Sequence, residues 1–87
     1  MAAKVEIYTT RTCGYCVAAL ALLRRLDVAF VQHDVSGRPD LRAWLVQQTG
    51  RTTVPQIFID GQAIGGFDDL SALHRRGALT AMLGARA

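Results

Sequence analysis

The chain has little of what marks several common classes of protein. Its 87 residues include only two cysteines and two histidines, and the longest apolar run, residues 17–23, is far too short to cross a bilayer. The ten lysine and arginine residues stand singly or in pairs, so the net charge of +3 forms no basic block typical of nucleic-acid binding. No linker, internal repeat or low-complexity segment interrupts the sequence. We therefore expect one small domain over residues 1–87, with neither a membrane nor a nucleic acid as partner.

The start of the chain gives no sign of export. Residues 1–12 carry charges and alternate in polarity, which is unlike a secretory signal peptide. The low cysteine count also gives no sign of an oxidising compartment. We therefore expect a soluble protein of the reducing cytoplasm, whose basic balance weakly favours an anionic small molecule as ligand.

Both cysteines, Cys13 and Cys16, lie between a strand-like run and a helical one. Residues 4–9 alternate as a strand does, and residues 17–26 are strong helix formers except for one valine. This junction puts the first sulfur at the N-terminus of a helix and the second sulfur one turn in, close enough for a disulfide. Unpaired N–H groups and the positive end of the helix dipole stabilise a thiolate there. We expect Cys13 to be acidic and nucleophilic.

Other uses of the cysteine pair fit the sequence less well. A structural disulfide across so short a loop would constrain little of the unfolded chain. A zinc site needs about four ligands, but the chain has no second Cys-x-x-Cys, and His33 and His74 lack ligand-like spacing to the pair. Two ordinary buried cysteines remain an alternative. The spacing at a strand–helix junction favours a redox pair over all of these.

The first half of the fold is predicted as a strand, a helix, a strand and a second helix. Residues 28–35 are mostly apolar and β-branched or aromatic, which predicts a strand buried on both faces and parallel to the first one. Pro39 is expected to begin the second helix and Gly50 to end it. Trp44 lies on the apolar stripe of this helix and is expected in the core.

The second half predicts a hairpin followed by helix. Residues 56–59 read as a strand, Asp60-Gly61 is a strong hairpin signal, and residues 62–64 return antiparallel. A third helix is expected to be capped by Asp68 or Asp69, and a last apolar stretch covers residues 78–83. The order βαβαββα describes an α/β fold of the thioredoxin type, with a four-stranded mixed sheet and helices on both faces.

The chain resembles a small dithiol glutaredoxin of the short bacterial type over nearly its whole length. The most specific sign is the order in which Cys-x-x-Cys, Thr-Val-Pro and Gly-Gly-x-Asp-Asp follow one another. The resemblance rests on four stretches, which are residues 5–9, 12–16, 50–59 and 64–70.

This resemblance implies a glutathione site beside the two catalytic cysteines, Cys13 and Cys16. A cis peptide bond before Pro55 would turn the Val54 backbone toward the cysteinyl part of glutathione. The start of the third helix would hold the γ-glutamyl end, and Arg42 would meet the glycyl carboxylate. Arg11 stands next to Thr10, where many relatives have a lysine. The implied binding residues are Arg11, Tyr15, Arg42, Thr53, Val54, Pro55, Gly66, Phe67, Asp68 and Asp69.

The implied activity is glutathione-dependent thiol–disulfide exchange on glutathionylated or disulfide-bonded proteins, by a monomer with no resident metal. A second possibility is a carrier in which Cys13 of two chains and two glutathiones hold a [2Fe–2S] cluster. Gly14 is the reason for this second possibility, because many dithiol relatives have proline at that position and some relatives with glycine form such clusters. A third is a thioredoxin-like donor that ignores glutathione, which the intact Gly-Gly-x-Asp-Asp disfavours.

Overall fold

The secondary structure follows the predicted order with one short helix added at its end. The computed structural model describes residues 3–83, so residues 1–2 and 84–87 of the expected domain lie outside the description. None of the helices in the described part is long and apolar enough to cross a membrane. The elements are β1 (Val5–Thr9), α1 (Gly14–Arg25), β2 (Val31–Asp34), α2 (Pro39–Thr49), β3 (Gln56–Ile59), β4 (Gln62–Gly65), α3 (Phe67–Arg75) and α4 (Ala78–Met82).

The four strands form one mixed sheet in the order β2-β1-β3-β4. β1 pairs parallel with β2 and antiparallel with β3, and β3 pairs antiparallel with β4. The predicted hairpin joins β3 to β4, and both turn residues have positive φ, 51° at Asp60 and 80° at Gly61. Asparagine, aspartate and glycine tolerate this backbone best, which is why the pair Asp-Gly favours the turn.

The prediction that the second strand is buried on both faces is wrong. β2 covers only residues 31–34, and three of its four side chains are exposed. The reason is its position at the edge of the sheet, where it has a neighbouring strand on one side only. His33 is partly buried, and its Nε2 lies 3.1 Å from Glu6 Oε2.

Helices cover both faces of the sheet, as predicted. On one face the buried side chains of β1 and β3 pack against α1, α3 and α4, with Ile7, Ile57 and Leu70 fully buried. On the other face α2 contributes Leu45 to a smaller cluster. The expectation that Trp44 lies in the core is wrong: its residue is 38% exposed at the margin of this cluster, with its ring near those of Tyr8 and Phe58. The clusters are Val5, Ile7, Ala19, Leu20, Leu22, Leu23, Ile57, Ile59, Leu70 and Leu79 on the first face, and Tyr8, Val35, Leu45 and Phe58 on the second.

Candidate active site

Cys13 is the residue that caps the N-terminus of α1. Its backbone is extended, with φ −121° and ψ 111°, and its sulfur accepts a hydrogen bond of 3.1 Å from the backbone N–H of Cys16. Its side chain is partly exposed, and both cysteines are free thiols. The sulfur thus lies at the positive end of the helix and within reach of solvent.

Cys16, one turn further along α1, lies in a different environment. The residue is only 1% exposed. Burial raises the pKa of the Cys16 thiol to about 12, and the hydrogen bond with Cys13 acts in the same direction. At neutral pH the Cys16 sulfur is therefore protonated, while the Cys13 sulfur is the one that reaches the surface.

A loop over residues 50–55 faces the two cysteines. The Val54–Pro55 peptide bond is cis, as the resemblance implied, and the Cys13 thiol donates to the Val54 carbonyl oxygen over 3.5 Å. The fully buried Gln56 holds this loop in place, because its Nε2 donates to the Thr53 carbonyl over 3.0 Å. Gln56 is not predictable as a buried residue of the site, because a lone polar residue at the start of a strand gives no sign of burial.

A groove leads from this loop to the start of α3. Its volume is about 260 Å³, and Tyr15 and Phe67 form its aromatic side, with ring centroids 6.3 Å apart. Eight of the ten residues expected to bind glutathione line it, together with one that was not expected, Arg51. The lining residues are Tyr15, Arg51, Thr53, Val54, Pro55, Gly66, Phe67, Asp68 and Asp69.

The two aspartates at the start of α3 have separate roles. The predicted capping by one of the aspartates is confirmed for Asp69, although the N-cap position itself is Gly66 and both aspartates lie in the first turn of the helix. Asp69 Oδ2 reaches back to the Gly66 N–H over 3.0 Å and also accepts from Arg51 Nη1 over 2.8 Å. The Arg51 hydrogen bond, followed by the one from Gly66, holds the pKa of the Asp69 carboxyl below its usual value. Asp68, in contrast, is exposed.

Two of the expected binding residues, Arg11 and Arg42, lie outside the lining of the groove. Arg11 Nε is 3.8 Å from Asp34 Oδ2, and its backbone N–H donates to Ser36 Oγ. Arg42 lies on α2 and donates from Nη2 to the Thr52 carbonyl over 3.1 Å. Their contact with glutathione stays a prediction.

No metal centre is evident in the part of the chain that the structure describes. Within residues 3–83, no group of three or more histidine, cysteine, aspartate and glutamate side chains could hold a metal ion.

The difference between the two sulfurs predicts selective alkylation. In the native reduced protein at pH 7.5, iodoacetamide should modify Cys13 at least about tenfold faster than Cys16, because thiolates react and Cys16 is both buried and protonated. Peptide mass spectrometry over a time course measures the two rates. Equal labelling of both cysteines in folded protein would contradict the assigned environments, and a sample unfolded in guanidinium, where the rates should converge, is the control.

Comparisons with known proteins agree with this geometry. The glutaredoxin family model matches residues 5–64. Glutaredoxin 3 of Escherichia coli K12 is 52% identical over 81 residues, covering 93% of this chain and 98% of that protein. A glutaredoxin of Pseudomonas aeruginosa is 51% identical over 81 residues, which cover 93% of this chain and 96% of that protein. Among solved structures, a buckwheat glutaredoxin–glutathione complex superposes with a TM-score of 0.88 at 34% identity, covering 98% of this chain and 83% of the other. The chain therefore belongs to the glutaredoxin family of thiol–disulfide oxidoreductases.

Proposed function

We propose that the chain reduces protein–glutathione mixed disulfides, with glutathione as the electron donor. The observation that carries this proposal is the position of the Cys13 sulfur, 3.5 Å from the Val54 carbonyl at one end of a groove that ends at the start of α3. The similarity to a buckwheat glutaredoxin whose structure is a complex with glutathione supports the choice of ligand. We place the activity in the cytoplasm, where glutathione is kept reduced. We propose that the active form is a monomer.

The cysteinyl part of glutathione is proposed to pair with the backbone of Val54. An extended peptide segment binds an exposed backbone by exchanging N–H and C=O hydrogen bonds, as one rung of a sheet does. In the free protein the Val54 carbonyl accepts from the Cys13 thiol. When Cys13 loses its proton this donor disappears, so the carbonyl becomes available to the ligand at the moment the sulfur becomes reactive.

The γ-glutamyl end is proposed to bind at the N-terminus of α3. The first hydrogen bond within this helix runs from Leu70 N–H to the Gly66 carbonyl, so the N–H groups of Phe67 and Asp68 have no partner inside the helix. Such groups favour a carboxylate. The exposed Asp68 side chain is the acceptor we assign to the ammonium group, because the Asp69 carboxylate already accepts two hydrogen bonds.

The glycyl carboxylate needs a cationic partner on the other side of Val54. Arg42 is our first candidate, because within residues 3–83 one of its guanidinium donors is engaged, with the carbonyl of Thr52 two residues before Val54, and the others have no partner. Arg11 is our second, because its side chain lies toward Asp34 and would have to leave that carboxylate.

The reaction is two thiol–disulfide exchanges. The Cys13 thiolate attacks the glutathione sulfur of the mixed disulfide; the S–S bond breaks, the protein thiolate leaves and takes a proton from water. A second glutathione thiolate then attacks the glutathione sulfur attached to Cys13, which releases glutathione disulfide and regenerates the Cys13 thiolate. Alternatively, Cys16 attacks the Cys13 sulfur, glutathione leaves, and two further glutathiones reduce the resulting Cys13–Cys16 disulfide.

Serine variants of the cysteines test the proposed function directly. Cys13→Ser should abolish reduction of a glutathionylated peptide, because the other cysteine, Cys16, is buried. Cys16→Ser should keep at least about half of the rate, since the first route does not use it. A glutathione–glutathione reductase coupled assay measures both, with a thioredoxin-reductase coupled assay alongside. Equal losses in the two variants, or activity only with thioredoxin reductase, would contradict the proposal.

The role assigned to Asp68 gives a second test. Asp68→Asn should raise the KM for the glutathionylated peptide by about tenfold, because hydrogen bonds to charged groups contribute about 1.5–3 kcal/mol and the amide retains part of the contact. The melting temperature should hardly change, because this carboxylate is exposed. Asp40→Asn, at the start of α2, is the matched control and should have a wild-type KM. An unchanged KM in Asp68→Asn would remove Asp68 from the binding site.

A second candidate function is the cluster carrier, and the surroundings of Gly14 favour it. Apart from its chain neighbours and the backbone of its own helix, a methyl group added at Gly14 would meet no atom within 4 Å, so the space beside Cys13 is open. Of the two cysteines, Cys16 is buried, which leaves Cys13 as the accessible thiol of each chain. The four thiolates that a [2Fe–2S] cluster needs would then be Cys13 of two chains and two glutathiones, and the cluster would supply electron-transfer chemistry or serve as cargo.

Reconstitution decides whether this second function exists. Anaerobic incubation with iron, sulfide and glutathione should give a brown dimer, seen by visible absorbance and size-exclusion chromatography. Gly14→Pro should lower the yield at least about twofold, because proline removes the N–H beside Cys13 and fixes φ. Gly14→Ala keeps the N–H and should behave as wild type. A colourless monomer from the wild-type protein would remove the carrier function.

A further inference from the structure

Arg51 links the two sides of the groove. It belongs to the loop that carries Val54, and its guanidinium reaches the first turn of α3, where Nη1 donates to Asp69 Oδ2 over 2.8 Å. The same oxygen accepts the Gly66 N–H over 3.0 Å. One carboxylate oxygen therefore joins the loop to the cap of the helix at which the γ-glutamyl end is proposed to bind.

The loop end of this link is fixed to α2. The Arg51 N–H donates to Thr49 Oγ1 over 3.0 Å, and the Thr49 hydroxyl donates to the Leu45 carbonyl over 2.7 Å. Leu45 is a buried residue of the second core cluster. The backbone from which the Arg51 side chain extends is thus anchored to the last turn of a packed helix.

The helix end of the link is fixed by close packing. A Cβ atom on Gly65 would lie 2.2 Å from Asp69 Oδ2, and Gly65 has φ +120°, so only glycine leaves room for the carboxylate there. A Cβ atom on Gly66 would lie 3.4 Å from the Pro55 carbonyl, which shows how near the cis-proline loop comes to the cap. Asp69 is therefore held where it meets Arg51.

We propose that Arg51 is a positioning residue for glutathione, which acts through Asp69 and not through contact with the ligand. The inference rests on the proposed function, in which one small ligand must meet the Val54 backbone, the start of α3 and the Cys13 sulfur at once. Fixing the distance between the first two anchors lowers the ordering cost of binding. The link also occupies Asp69, which leaves Asp68 to receive the ligand's ammonium group.

The expected rise in KM is small because the Arg51–Asp69 ion pair is partly exposed to solvent. The Arg51 and Asp69 side chains are 49% and 40% exposed, and ion pairs this exposed contribute little to stability. Breaking the link should reduce the fraction of protein with a correctly spaced groove by about fivefold at most, and the KM should rise in proportion. The rate at saturating substrate should stay the same, because the reacting sulfur is not touched.

A double-mutant cycle tests the inference. Arg51→Ala, Asp69→Asn and the double variant are compared by KM and kcat for a glutathionylated peptide at saturating glutathione. Asp69→Asn keeps an oxygen acceptor for the Gly66 N–H and removes the ion pair. Each single variant should raise the KM about threefold to fivefold with unchanged kcat, and the double variant should be no worse than either. Arg51→Lys, which keeps the charge, should recover part of the loss.

The controls separate this role from its alternatives. Arg38→Ala breaks a comparable surface pair, Arg38–Asp40 at 3.0 Å, and should have a wild-type KM. Additive KM effects in the cycle would mean that Arg51 touches the ligand, and would overturn the inference. An unchanged KM in Arg51→Ala would also overturn it. A fall in the melting temperature of Arg51→Ala large enough to explain its higher KM would overturn it as well. A wild-type protein inactive with glutathione would overturn the proposed function itself, whereas an active wild type with an additive cycle would overturn the role of Arg51 alone.

Discussion

The central position of β1 in the sheet is the constraint on which the site depends. β1 runs parallel to β2 and antiparallel to β3, and its residue Tyr8 is paired with Gln56, the first residue of β3. The last residue of β4, Gly65, is paired with Ile57. The end of β1, the start of β3 and the end of β4 therefore lie at the same end of the sheet. Cys13, the cis-proline loop and the start of α3 converge there because of strand direction, although up to about fifty residues separate them in sequence.

The parts of this arrangement that were predictable from the sequence are those encoded locally. Cys-x-x-Cys after an alternating run and before strong helix formers was enough to place Cys13 at a helix start, and Asp60-Gly61 was enough to place the hairpin. Both signals act within a few residues, where backbone preference decides. The cis bond before Pro55 has no such local signal, and only the resemblance to glutaredoxins indicated it.

The parts that were not predictable depend on which distant groups become neighbours. A stretch of apolar β-branched residues does not reveal whether its strand will be central or at an edge, and this is why β2 was expected to be buried. The partners of long side chains are equally non-local: Arg11 meets Asp34, and Arg42 meets the Thr52 carbonyl. Arg51 stood inside a stretch that carried the family resemblance, but nothing in that stretch showed that its partner would be Asp69.

The unequal environments of the two sulfurs bear on which route regenerates the enzyme. Burial is the largest cause of the raised pKa of Cys16, followed by the hydrogen bond and then the charge interaction with Cys13. Burial of Cys16 does not depend on what is attached to Cys13, so it remains when the Cys13 sulfur carries glutathione. Cys16 would then still be mostly protonated at neutral pH and a poor nucleophile. Under the proposed function, a second glutathione reaches the Cys13 sulfur from solvent without this burial cost, so we propose regeneration by glutathione as the main route and closure of the Cys13–Cys16 disulfide as the minor one.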